Sequence, residues 1–263
     1  MTVLDPALRD TAAELAQAAS ALEMAHPREV VAWALQRFGR ERTVVVTGLQ
    51  AEGVAVADMA IDVDPRVRVA TIDTGRLPAA TYEYIDMLRE HFGRDIEVIH
   101  PDAAMLSEYT TQNGLNGFYR SVQLRLDCCH IRKVEPLERI LRDADAWLTG
   151  LRRTQSDRRA TTPVVEVDVA HGGIAKVNPV ATWSEEQVRA HLSMRGVPLH
   201  PLYARGYTSI GCDPCTRAVE PGEHERAGRW WWEDGVDKEC GIHGRPDTPG
   251  TTETQAKGMS DDD

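Results

Sequence analysis

The sequence predicts an α/β fold: a parallel sheet flanked by helices, followed by an irregular, cysteine-containing C-terminal segment. Short β-branched runs alternate with helical patterns over the first two-thirds of the chain. Those runs are almost continuously apolar, as strands buried on both faces of a parallel sheet are. After Pro198 the periodicity fades while Gly, Pro and Cys become frequent, so this stretch needs another source of order, such as a metal centre.

The N-terminus, MTVLDPALRDTAAELAQAASALEM, is alanine-rich with early acids. It reads as an amphipathic surface helix, without the basic start and apolar middle of a secretory signal. Residues 1–40 are expected as an N-terminal helical segment. ERTVVVTG, VRVATIDTG, RDIEVIHP and DAWLTGL then read as strands. Between them, PREVVAWALQRFG, AEGVAVADMAID and AATYEYIDMLREHFG carry apolar positions at helical spacing. Pro27 suits a first helical turn, and two of these helices end in glycine. PVVEVDVAHGGIAKVNPV is expected as a hairpin turning at Gly172–Gly173, and WSEEQVRAHLSMRG as a helix capped by Ser184. This alternation places an α/β domain at 41–197, the irregular segment at 198–243 and a disordered tail at 244–263, where almost nothing is available to bury.

A chain of 263 residues with 42% hydrophobic content can build a substantial core, and one domain is favoured over two. No run approaches the roughly 18 apolar residues of a membrane span. The net charge of −11 argues against nucleic acid as the partner. An odd count of five cysteines argues against a disulfide framework and for reduced thiols in the cytoplasm. Arginines nevertheless gather at Arg152, Arg153, Arg158 and Arg159, and at Arg217, Arg226 and Arg229, which suits a small anionic ligand.

Ligands of open α/β sheets sit at the carboxyl ends of the strands. Three loops fit that position: Thr47-Gly48-Leu49-Gln50, Asp73-Thr74-Gly75, and Gly150-Leu151-Arg152-Arg153-Thr154-Gln155-Ser156. Each is commonplace alone; together they describe a polar, cationic rim for a nucleotide-like anion.

The cysteines divide into two tight pairs, Cys128-Cys129 and Cys212-Cys215, and a lone Cys240. The pairs admit structural zinc, an iron–sulfur cluster, or plain burial. Adjacent helical side chains diverge by roughly 100°, which suits separate iron atoms better than one zinc ion. Cys240, near Lys238 and His243, is either a reactive thiol or a spare surface cysteine.

LDCCHIRKVEPL, GLRRTQS, SIGCDPCTR followed by GRWWWE, and KECGIH, in that order between about Thr43 and His243, resemble the assimilatory adenylyl-sulfate reductases, the iron–sulfur branch of the phosphoadenylyl-sulfate reductase family. The resemblance implies a single adenine-nucleotide α-hydrolase-like domain, related to the ATP-pyrophosphatases. It implies one [4Fe–4S] cluster on Cys128, Cys129, Cys212 and Cys215, with Cys240 as nucleophile and Lys133 near the cluster. It also implies nucleotide contacts from Thr47 to Gln50, from Asp73 to Gly75, and from Arg152, Arg153, Gln155, Ser156, Arg226 and Arg229. The implied activity is reduction of adenylyl sulfate to sulfite and AMP in sulfate assimilation toward cysteine, with thioredoxin or a glutaredoxin-like protein as reductant. Neither a nucleic acid nor a membrane enters, and assembly into a homo-oligomer is left open. TGLQAEG departs from the family pattern, which begins with serine and carries an acid where Gly53 stands. The rivals are an enzyme of the same chemistry acting on the 3′-phosphorylated nucleotide, an ATP-dependent sulfur-transfer enzyme, and a non-catalytic iron–sulfur or zinc redox regulator.

Overall fold

The computed structural model describes residues 6–233, 239 and 241–243. Helices α1 (Pro6–Leu22) and α2 (Pro27–Phe38) precede the first strand, β1 (Thr43–Val46). The chain then alternates through α3 (Ala51–Val63), β2 (Arg68–Ile72), α4 (Ala79–Phe92), β3 (Glu97–Ile99), α5 (Ala103–Asn113), α6 (Val122–Cys129), α7 (Glu135–Leu141) and β4 (Ala146–Leu148). The hairpin β5 (Val165–Asp168) and β6 (Ile174–Val177) follows, then α8 (Glu185–Arg195). Pro27 opens α2, and Ser184 caps α8 in a box with Gln187. Both follow from the pattern above.

Among the described residues the strands form one sheet in the order β3-β2-β1-β4-β6-β5. All neighbours are parallel except β5, which runs antiparallel to β6. The order reverses between β1 and β4, which creates the crevice where open α/β sheets bind ligands. The main core lies between the sheet and α2, α3 and α8, with Val45, Val54, Met59, Leu148 and Leu192 almost fully buried. Leu15 of α1 joins it. Across the sheet, Val44, Ala70 and Trp147 pack on Leu137 and Ile140 of α7. The expected disordered tail, 244–263, lies outside the described residues.

Helices α5 to α7 are the part the sequence pattern left unassigned. Asp102 caps α5 by accepting from Ala104 N and Met105 N, and Ser121 caps α6 by accepting from Leu124 N. Between α6 and α7 the chain widens into a π-turn over His130–Val134. Such turns frequently mark functional sites.

Candidate active site

The loop after β1 is shaped by its own side chains. Thr47 Oγ1 accepts from Leu49 N at 3.0 Å, and Leu49 takes a left-handed backbone (φ 60°), a conformation costly for a branched residue. Gln50 Oε1 accepts from Ile210 N at 3.1 Å, and the Tyr203 hydroxyl accepts from Ala51 N at 2.9 Å. The C-terminal segment is thereby fastened to the start of α3.

The loop after β4 runs so close to this helix that Gly150 has no room for a side chain. A Cβ there would lie 2.4 Å from Gly53 N. Gly53 is confined in turn, its own Cβ position falling 2.5 Å from Thr47 Oγ1. The missing acid at position 53 thus goes with a threonine hydroxyl that fills the space. Arg152 Nε donates to Glu52 Oε1 at 2.8 Å, both side chains buried, and Nη2 lies 3.6 Å from Glu225 Oε2. Burial pushes the Glu225 carboxyl up, although Arg152 opposes this.

The loop after β2 faces the cysteines. Thr74 Oγ1 lies 3.2 Å from Cys212 Sγ, and Arg132 Nη1 donates to Thr74 O at 2.5 Å. Asp73 turns inward on its own loop, accepting from Gly75 N at 2.8 Å and the Tyr82 hydroxyl at 2.9 Å.

All four paired cysteines are buried and share one cluster with Tyr109, Phe118 and Trp230. Cys128 and Cys129 end α6. Cys212 and Cys215 flank a 3-10 turn, and Trp230 N donates to Cys215 O at 3.1 Å. Arg125 Nε donates to Glu233 Oε1 at 2.9 Å while its guanidinium stacks over Trp230. The thiols are electrostatically unequal. Burial pushes Cys215 up to about 12, the neighbouring Cys212 adding to it. For Cys212 burial acts the same way, but Lys133, the Thr74 hydroxyl, Arg229 and Arg132 prevail and hold it below the ordinary thiol range. Among the described residues no three His, Cys, Asp or Glu side chains converge as ligands of a single metal ion. Four buried sulfurs in one side-chain cluster, with Lys133, Arg229 and Arg132 acting on Cys212, are a donor set whose chemistry suits an iron–sulfur group.

One pocket joins these parts. Thr47, Gly48, Leu49 and Gln50 line it with Thr74, Lys133, Arg152 and Gln155, as do Arg226, Arg229 and Cys212. Asp73, Gly75, Arg153 and Ser156 do not line it. Arg153 points the other way, to Glu23 Oε1 (2.5 Å) and Thr162 O (2.8 Å). Cys128, Cys129 and Cys215 lie behind the wall that Cys212 completes. Cys240 and Lys238 lie outside the described residues, but Glu239, Ile242 and His243 line the pocket. His243 stacks on Trp147 (centroids 5.8 Å apart, planes within 11°), and burial, reinforced by Lys176 and Arg159, keeps its ring well below the usual histidine range.

The sequence reading missed Glu52, Glu225 and Tyr203, whose roles come from distant pairing, and Trp147, which passes for a core residue of β4 while its ring faces the pocket. Arg159 was visible only as part of an arginine cluster.

Residues 42–218 match the profile of the phosphoadenosine phosphosulfate reductase domain. The chain belongs to this family. Among curated members, an adenosine 5′-phosphosulfate reductase of Burkholderia cepacia is 48% identical over 209 residues, covering 80% of this chain and 83% of that protein. One from Pseudomonas aeruginosa (strain LESB58) is 41% identical over 244 residues, covering 91% and 90%. Among solved structures, a family member from Candida auris, a phosphoadenylyl-sulfate reductase in a phosphate complex, superposes with a TM-score of 0.65. It is 26% identical, over 78% of this chain and 96% of that one. An FMN adenylyltransferase of Candida glabrata shares the fold alone, at a TM-score of 0.51 and 9% identity.

Proposed function

We propose that this family member is a thioredoxin-dependent adenylyl-sulfate reductase, releasing sulfite and AMP in cytoplasmic sulfate assimilation toward cysteine. One observation carries the reading: the strand-end loops, Arg152, Arg226 and Arg229, one of the four buried thiols (Cys212, with the other three in the cluster behind it) and the described neighbours of Cys240 line one pocket. Names of the relatives, of whose length the chain spans 83% and 90%, support it.

Thr47 to Gln50 and Thr74 hold the nucleotide at the switch point, with α3 presenting backbone N–H groups to its anionic end. Arg152, Arg226, Arg229 and Lys133 stabilise charge on the sulfate and on the departing phosphate. Arg229 suits this role because its buried Nε has no hydrogen-bond partner among the described residues. Gln155 positions rather than binds: its Oε1 accepts from Arg159 Nη1 at 2.6 Å and from Arg152 N at 3.1 Å. Arg153 and Ser156 fall outside this contact set.

Cys128, Cys129, Cys212 and Cys215 would hold one [4Fe–4S] cluster, which when bound supplies a fixed charged group beside Lys133 and orders the C-terminal segment. The Cys240 thiolate attacks the sulfate sulfur, the bond from sulfur to the phosphate oxygen breaks, and AMP leaves with the electron pair, giving an enzyme S-sulfocysteine. A thioredoxin thiolate then attacks Cys240 Sγ and sulfite leaves with the electron pair. The second thioredoxin cysteine resolves the mixed disulfide, restoring the Cys240 thiol and leaving thioredoxin oxidised.

The test is sulfite release by anaerobically purified protein with thioredoxin, on adenylyl sulfate and on its 3′-phosphorylated analogue, with the visible spectrum recorded. Brown protein that reduces adenylyl sulfate and falls to background as Cys240→Ser is the expected result. Preference for the 3′-phosphorylated nucleotide would correct the substrate. Colourless protein inactive on both would overturn the reading.

A further inference from the structure

Glu239 is held more tightly than its position in an irregular segment requires. Its carboxylate accepts from Arg159 Nη2 at 2.9 and 3.1 Å and from Arg159 Nε at 3.2 Å. Arg226 Nη2 stands 3.1 Å from its Oε2. Its main-chain carbonyl accepts from Arg125 Nη1 at 2.7 Å. Arg159 and Arg226 line the pocket, so the carboxylate sits where the cationic rim meets the cavity.

A planar carboxylate bridging two guanidiniums uses the same paired N–H donors that receive two oxygens of a sulfate or phosphate. One anion at a time can hold both arginines in that way. Three residues on, the chain is fixed by different forces: Ile242 packs on the cluster around Leu137 and Ile140, and His243 stacks on Trp147. The segment therefore has an apolar anchor at 242–243 that no anion can displace, and an ionic clamp at 239 that an anion can.

We propose that Glu239 is a built-in competitor for the substrate's anion. Its carboxylate occupies Arg159 and Arg226 until the anionic end of the nucleotide takes them. This deepens the nucleotide-binding reading above and rests on it. Glu239 is a positioning residue in this scheme: it acts through the two arginines and touches no reacting atom.

The experiment uses the full chain, with AMP and inorganic sulfate as probes, and compares wild type, Glu239→Gln and Glu239→Asp. Calorimetry reads affinity. Glu239→Gln should bind AMP and sulfate several-fold tighter than wild type, with Glu239→Asp between them. A merely structural glutamate gives the opposite sign: its loss weakens AMP binding. Unchanged or weaker affinity in Glu239→Gln overturns the proposal while the nucleotide reading stands. Wild type that binds neither probe overturns both.

Discussion

The two walls of the pocket are built in different ways. The strand-end wall is a product of the sheet: its loops leave β1 and β4 side by side, and their approach is so close that glycine alone fits at positions 53 and 150. The cysteine wall is assembled from the end of α6 and a distant irregular turn. They are joined through Trp230, the Arg125–Glu233 pair and sulfur contacts rather than a backbone ladder. A backbone-built wall is complete once the sheet forms. A wall of side chains has no such ladder and holds only as its individual contacts hold.

Each wall contains a buried ion pair, Arg152–Glu52 in one and Arg125–Glu233 in the other, which gives the strongest way to break the comparison. Arg152→Met leaves Glu52 buried and unpaired beneath the strand-end loops, a loss of about 3–5 kcal/mol. It should lower the thermal midpoint of the whole domain and weaken AMP binding. Arg125→Met removes the guanidinium that pairs with Glu233, but in the cysteine wall. There the expected loss is local: the near-ultraviolet signal of Trp230 and Trp232 changes while the far-ultraviolet midpoint of the sheet moves little. Equal global destabilisation by both variants would mean that the walls fold as one unit.

The junction between the walls offers a pH test. His200 is buried against α4 at the start of the C-terminal segment; its Nδ1 accepts from Leu202 N, so Nε2 carries the proton and donates to Thr81. Burial lowers this ring from 6.5 to about 4. Above pH 6.5 it is neutral whether folded or unfolded. Between pH 6.5 and 4 the unfolded chain takes up a proton that the folded chain refuses. Stability is therefore lost as the pH drops, by about 3 kcal/mol over the window. Thermal midpoints at pH 7 and pH 4.5 should separate further in wild type than in His200→Gln. Parallel behaviour of the two proteins would remove the histidine from the account.

The strand-end wall was largely legible in the sequence because its signals are local. A β-branched run alone marks only a strand, but Thr43–Val46 followed by Thr47-Gly48 before a helical pattern located both strand and loop. The hairpin at Gly172–Gly173 was equally plain. The cysteine wall was legible as two cysteine pairs but not as a place: nothing in LDCCHIRKVEPL announces a π-turn or its pairing with Trp230. Arg152 and Arg153 show the limit best. As neighbours in one motif they read alike, yet successive side chains of an extended stretch face opposite ways. Arg152 enters the pocket, and Arg153 reaches out to Glu23, just past the end of α1.

That opposition yields a finer test within the strand-end wall itself. Gly53→Ala puts a methyl 2.5 Å from Thr47 Oγ1 and should cost about 1–3 kcal/mol through overpacking. Thr47→Ala in the same chain removes the obstructing oxygen and should recover part of the loss in thermal midpoint. Recovery would show that the hydroxyl, rather than a general intolerance at position 53, accounts for the glycine.

Arg153→Ala should have the smallest effect. Arg153 and Glu23 form a pair that keeps about a third of each side chain in solvent, 29% and 39%. Such pairs contribute about 0.2–1 kcal/mol. The pair ties the segment after α1 to the loop after β4 from outside the pocket, and it holds the Glu23 carboxyl below its ordinary range through the hydrogen bond to Arg153. The thermal midpoint should fall by a degree or so at low salt and less at high salt, where screening weakens an exposed pair. AMP affinity should match wild type, in contrast to Arg152→Met one residue away. A several-fold loss of AMP binding in Arg153→Ala would mean that the guanidinium turns into the pocket when the nucleotide arrives, and that the strand-end wall is less fixed than its glycines imply.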